Sequence, residues 1–185
     1  MSRFAETLVP LIDDNTEQAV EKVEAVLADF PGYFSKQYAE RFGAKFGLPK
    51  EDGDQLIKKG LGLLAKQEVD FTLFFRCLTR MAEGDDSDEL SMMFPEEKPF
   101  LRWLDEWEEM VEPNQIEKMK AVNPVIIPRN HRIEQAIQNA YSGDYSLFHT
   151  LVDALKNPFE EGEYDVDLES PPLPEERVRE TFCGT

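Results

Sequence analysis

The residues best suited to nucleophilic, redox or metal chemistry in this 185-residue chain are two histidines, His131 and His149, and two cysteines, Cys77 and Cys183. Zinc needs such residues in clusters, and no CxxC pair occurs, so no metal site is expected. Asp165, Asp167 and Glu169, with Glu176 at the twelfth place, imitate a calcium loop. Its sixth place holds Ser170 instead of the turn-making glycine, and Pro171 and Pro172 follow. Gly60-Leu61-Gly62 followed by Ala65 imitates a dinucleotide fingerprint. That motif needs a preceding strand, whereas residues 56–59 read as helix, so close helix packing or simple tolerance explains the glycines better. Neither a GxxxxGK[ST] phosphate loop nor a G-x-S-x-G nucleophile elbow is present. His131, beside Arg129 and Arg132, is expected on the surface, and His149 on a polar face or packed. Cys77 sits in a Phe-rich helical stretch and is expected to be buried and unreactive. Carboxylates are so numerous that spacing singles out no acid–base pair. No catalytic constellation emerges.

The charge narrows the classes. There are 38 acids against 20 bases, a net charge of −18. Nucleic acid and anionic membrane surfaces both call for clustered Lys and Arg, so neither is an expected partner. A hydrophobic content of 41%, with 13 Phe, is enough for a core. No run approaches the roughly 20 apolar residues of a membrane span. The first residues lack a signal peptide's features, and two cysteines make no disulfide scaffold. A soluble, intracellular protein is expected. The acidity is concentrated: residues 83–112 hold 12 acids against 2 bases and residues 158–185 hold 9 against 2. The segment 118–132 has the opposite sign. Lys118, Lys120, Arg129, Asn130 and Arg132 make it a candidate docking strip, and the acidic runs are solvated faces or docking surfaces.

The elements that would position these residues are helical almost throughout. Asn15 and Gln18 fit a capping box before Val20, Val23, Val26, Leu27 and Phe30. Pro31 and Gly32 are expected to stop that helix, and Phe34, Tyr38 and Phe42 to begin another. Leu56, Ile57, Leu61 and Leu64 follow, and then a helix capped by Asp70 with Phe71, Phe74, Phe75, Leu78 and Met81. Residues 84–97 read as an acidic loop with an apolar island at Met92, Met93 and Phe94. The clearest stripe is Phe100, Trp103, Leu104, Trp107, Met110 and Val111, which puts both Trp on one face, for core packing rather than a partner groove. Ile116 and Met119 mark a short helix. Residues 123–128 cannot be helical around two prolines, and Val125-Ile126-Ile127 is the one possible strand. Ile133 to Tyr141 form a further helix, ended by Gly143, and Asp144 caps the last. The fold class expected is all-α: a helical domain over 1–157, with possible sub-units 1–83 and 98–157, then an extended acidic, Pro-containing tail over 158–185 that is mobile or laid over a surface.

Two stretches carry a resemblance. They are AVNPVIIPRNHRIEQAI at 121–137, leading into GDYSLFHTLVDAL and NPF, and the C-terminal PPLPEERVRETFCGT. With VDFTLFFRCL at 69–78 and RFAETLVPLI at 3–12, they resemble the C-terminal end of the selenoprotein O family, also called YdiU. The resemblance covers essentially the whole chain. It implies a protein-kinase-like (pseudokinase) fold, of which this chain is the helical C-lobe end. It implies transfer of AMP from ATP to Ser, Thr or Tyr hydroxyls of proteins, tied to redox homeostasis, with ATP and Mg²⁺ as cofactors of the full-length protein. Cys183 matches the place where family members carry selenocysteine or cysteine, and a reversible disulfide there would gate activity.

The family's chain is more than twice this long, and its Gly-rich phosphate segment, nucleotide Lys, metal-binding Asn and Asp and catalytic base precede the region seen here. The chain is therefore expected to be a C-terminal fragment with no catalytic residue and no cofactor of its own. Its partners would be the N-terminal kinase-like domain and, in the whole enzyme, protein substrates. Self-association through uncovered apolar surface is expected, in a cytoplasmic setting for a bacterial protein and a mitochondrial one for a eukaryotic protein. The alternative is a free-standing helical interaction module with acidic docking surfaces.

Overall fold

The computed structural model describes residues 2–49, 53–164 and 167–178. All regular structure among them is helical: α1 (Ser2–Ile12), α2 (Thr16–Phe46), α3 (Asp54–Lys66), α4 (Phe71–Glu83), α5 (Asp88–Met92), α6 (Glu97–Glu108), a 3₁₀ turn (Pro113–Gln115), α7 (Ile116–Val122), α8 (Asn130–Tyr141) and α9 (Ser146–Ala154). No described helix is long and apolar enough to cross a membrane. The chain divides into two compact units, residues up to 42 and residues from 43 onward.

The first unit holds α1 and most of α2. Asn15 caps α2 as expected, its Oδ1 accepting from the amides of Glu17 and Gln18. The expected stop at Pro31 does not occur, and the helix runs through it. One proline removes a single amide donor and crowds one carbonyl, at a cost of about 3 kcal/mol. Propagation on either side, together with ring contacts across the break, outweighs it. Phe30, Phe34, Tyr38 and Phe42 form a ladder four residues apart, with ring centroids 6.1, 6.0 and 4.5 Å apart in turn. Ala19 is fully buried, whereas Phe30, Tyr33, Phe34 and Tyr38 are exposed.

The second unit has an aromatic core. Phe46, Phe74, Phe75, Phe100 and Trp107 are each at most 1% exposed, and Trp103 is 3% exposed. Phe46 meets Phe74, Phe75 and Trp103 edge-on, as ring quadrupoles favour, whereas Phe94 and Phe100 stack at 4.0 Å and Trp103 lies near-parallel to both Phe100 and Trp107. Both indoles have polar work. Trp107 Nε1 donates to the Phe46 carbonyl (2.7 Å), at a helix C-terminus that leaves carbonyls unpaired, and Trp103 Nε1 donates to the Leu56 carbonyl (2.8 Å). Gly47, at φ +66°, closes α2: Leu48 N donates to Gly43 O and Gly47 N to Ala44 O, the paired bonds of a Schellman ending. The segment 84–97 is more ordered than a loop. It contains α5, and Leu90 and Phe94 are buried while Met92 lies open.

A smaller core joins α8 and α9 to the stretches that flank them: Val125, Ile126, Ala136, Leu147, Leu151, Ala154 and Leu168. Val125 and Ile126 form no strand. Their amides both donate to the Pro158 carbonyl. Residues 158–164 and 167–178 form an extended strap over this core. Leu168 is 1% exposed, and Arg76 grips the strap through Glu161 (2.7 Å) and Glu169.

Candidate functional site

The residues singled out by sequence fall in separate places. Lys118 and Lys120 are exposed on α7, where Lys120 pairs with Glu83 at 2.9 Å and Lys118 donates to Gln115. Arg129 is not part of an open strip. It is 7% exposed, and both terminal nitrogens of its guanidinium donate to the Asp70 carboxylate at 2.8 and 3.0 Å. Asn130 is exposed at the start of α8. Arg132 turns to the strap, donating through Nε to the Asp167 carbonyl (2.8 Å). Cys183 lies outside the described residues.

Asp70 does two jobs. It caps α4 by accepting from the Leu73 amide, and it holds Arg129. Burial alone would push its carboxyl up, but the Arg129 guanidinium and the helix amides outweigh that and hold it below the usual carboxylate range. A bidentate pair of this kind ties the start of α4 to the residue before α8.

A second buried polar network surrounds Asn123. Its Nδ2 donates to Thr79 Oγ1 and to the Lys45 carbonyl, both at 2.9 Å. Lys45 Nζ donates back to Asn123 Oδ1 (2.9 Å) and lies 4.7 Å from the Phe75 ring centre. Burial lowers the Lys45 pKa. These partners satisfy the polar groups of a buried junction and present none of them to a substrate.

Cys77 is buried, and burial and the nearby Glu89 carboxylate push its thiol up to about 11. That is the opposite of what a reactive thiolate needs. His131 was expected at the surface and is instead 6% exposed, with neither ring nitrogen hydrogen-bonded among the described residues. His149 is exposed, its ring against Phe148. Among the described residues no three His, Cys, Asp or Glu side chains are grouped to hold a metal ion.

The most distinctive surface is apolar. Between α8 and α9 runs a groove of about 420 Å³, lined by Pro128, Ile133, Ile137, Tyr145, Phe148 and Val152 among others. Ile137 is 44% and Phe148 49% exposed. Sequence periodicity places Ile133 and Ile137 on one helical stripe. The stripe on α8 is wider than its one buried apolar residue, Ala136, requires, and that width is a local signal of a second face.

The family described as "Protein adenylyltransferase SelO" matches residues 1–156. The chain belongs to the SelO family. Among curated relatives named "Protein nucleotidyltransferase YdiU", the SelO-family chain is 41% identical to that of Bradyrhizobium diazoefficiens over 194 residues, covering 100% of itself and 40% of the relative. It is 38% identical to the protein of Nitrobacter winogradskyi and 39% to that of Rhizobium etli, again over its full length and over 38% and 39% of theirs. The SelO-family chain thus spans about two fifths of the length of these relatives.

Proposed function

We propose that this chain is the helical C-terminal part of a protein adenylyltransferase, a support for the catalytic part and not a catalyst by itself. The observation that carries this reading is its share of its relatives: it aligns over all of its own length and over 40% of the length of a named nucleotidyltransferase. The chemistry of AMP transfer needs phosphate clamps and a metal site held together. The described residues offer apolar docking surface and satisfied structural networks in their place. ATP and Mg²⁺ would be bound by the larger part, within a kinase-like fold inside the bacterial cell, and protein hydroxyls would be its targets. The α8–α9 groove is the surface on which the larger part would rest. Cys183 would supply a reversible disulfide, because the raised pKa of Cys77 takes that thiol out of competition.

Calorimetry with Mg·ATP tests the reading. The isolated chain is expected to give no binding heat and no AMP transfer to a protein acceptor, whereas a full-length relative gives both. Mg·ATP binding by the chain alone would sink it. The rival reading, a free-standing interaction module, is favoured by the same exposed groove. It predicts that adding the remaining part of a relative in trans leaves the groove residues unprotected from hydrogen exchange or labelling.

A further inference from the structure

The far end of the strap crosses α8 above a buried histidine. Residues 173–178 and α8 enclose a cleft of about 670 Å³ whose walls include His131, Glu134 and Gln138 on one side and Glu175, Glu176 and Val178 on the other. The strap end is held lightly. The Leu173 amide donates to the Glu176 carboxylate (3.0 Å), the Glu176 amide donates to the Leu173 carbonyl (2.9 Å), and Glu176 reaches Arg132 only at 3.9 Å. The other end is held firmly, by Leu168 in the core, Glu169 on Arg76 and the Asp167 carbonyl on Arg132.

His131 is the titratable side chain here whose polar atoms are wholly unpaired among the described residues, whereas Arg129 leaves only its Nε unpaired. Its two nitrogens are buried and have no hydrogen-bond partner among the described residues. A neutral imidazole tolerates this at modest cost, but an imidazolium in the same place would need a carboxylate or water. The charged groups facing it are Arg129, already occupied by Asp70, Arg132 and Glu134 from α8 and its start, and Asp167, Glu175, Glu176 and Arg177 from the strap. Burial first, and then Arg132, push its pKa below the ordinary value; Glu176 pulls the other way, followed by a further push from Arg129 and a last pull from Asp167.

We propose that His131 is a pH-sensitive latch: its protonation opens residues 173–178 of the strap, while the Leu168–Arg76 anchor stays closed. Opening admits water to the imidazolium and swings Glu176 free to pair with it. A group whose folded pKa lies below its free value of about 6.5 stabilises the closed state above that pH and loses the effect as pH falls toward the folded value. The window between pH 7.5 and 5.5 spans the ordinary histidine range.

The test is NMR on the chain: the His131 ring shifts, and hydrogen-exchange protection of the Leu173 and Glu176 amides, corrected for intrinsic rates. Protection is expected to fall between pH 7.5 and 5.5, by up to about tenfold for each pH unit below 6.5, in step with the His131 titration. It should hold constant in His131→Gln and keep its pH dependence in His149→Gln. Two results would overturn the proposal. One is a His131 ring that titrates in the native chain with both amides unchanged, a readout that needs no variant to fold. The other is the same fall in His131→Gln.

Discussion

Gly60 and Gly62 show how much a single methyl group decides. A Cβ on Gly60 would lie 3.0 Å from three atoms of the Trp103 indole, whereas one on Gly62 would meet nothing within 4 Å. Gly60→Ala is therefore expected to destabilise the second unit by about 1–3 kcal/mol through overpacking. Gly62→Ala should stabilise it by about 0.5–1 kcal/mol, because alanine loses less backbone entropy in a helix. Urea melts of the two variants give opposite shifts in midpoint if the α3–α6 contact is as described. Cys77 makes a second prediction at this scale. With its thiol near 11 and its side chain buried, it should label with a maleimide at pH 7.5 only as fast as the fold opens, and Cys183 should label first. Sequence reading placed Cys77 correctly in the core. It missed His131, because nothing in PRNHR says that the strap will cover it.

Among the elements, the strap has the largest structural consequence. Composition marks residues 158–178 as tail, yet Leu168 completes the smaller core. Leu168→Ala should cost about 2–5 kcal/mol, as for other fully buried leucines, and Glu161→Gln, at an exposed carboxylate, well under 1 kcal/mol. Thermal melts would read the contrast, and equal effects would show that the strap is held by charge rather than by its buried leucine. The Asp70–Arg129 pair joins α4 to α8 and adds a pH dependence. Because the Asp70 carboxyl is held below its free value, its contribution is complete above about pH 4 and is lost as pH falls through the folded pKa. Asp70→Asn should remove that part of the acid sensitivity, measured as the slope of unfolding free energy between pH 5 and 2. α2 teaches the converse lesson. Its proline was read as a stop by the local rule, and the aromatic ladder and helix length on either side overrode it.

For the whole molecule, the uneven surface matters most. Strong negative charge keeps most faces solvated, but the α8–α9 groove and the aromatic ladder of α2 leave large apolar side chains in water. Surfaces of that kind are partner sites or association sites. Ile137→Glu with Phe148→Glu should abolish binding of an environment-sensitive hydrophobic dye to the groove and lower any self-association seen by light scattering. Unchanged dye binding would place the sticky surface elsewhere.

The sequence by itself determined the helical class, most helix bounds, the Asn15 and Asp70 caps, the aromatic core stripe and the family. All of these are written in short-range periodicity, capping chemistry or contiguous motifs, where neighbours a few residues apart decide the outcome. The tertiary structure decided which of several apolar stripes is left uncovered, that the described part of the acidic tail is a strap locked by Leu168, that Arg129 faces inward to Asp70, and that His131 is buried with no partner among the described residues. Those contacts join residues tens of positions apart, such as Asp70 with Arg129 and Arg76 with Glu169. Their existence depends on which surfaces meet once the helices have packed, and no local rule of charge or spacing carries that information.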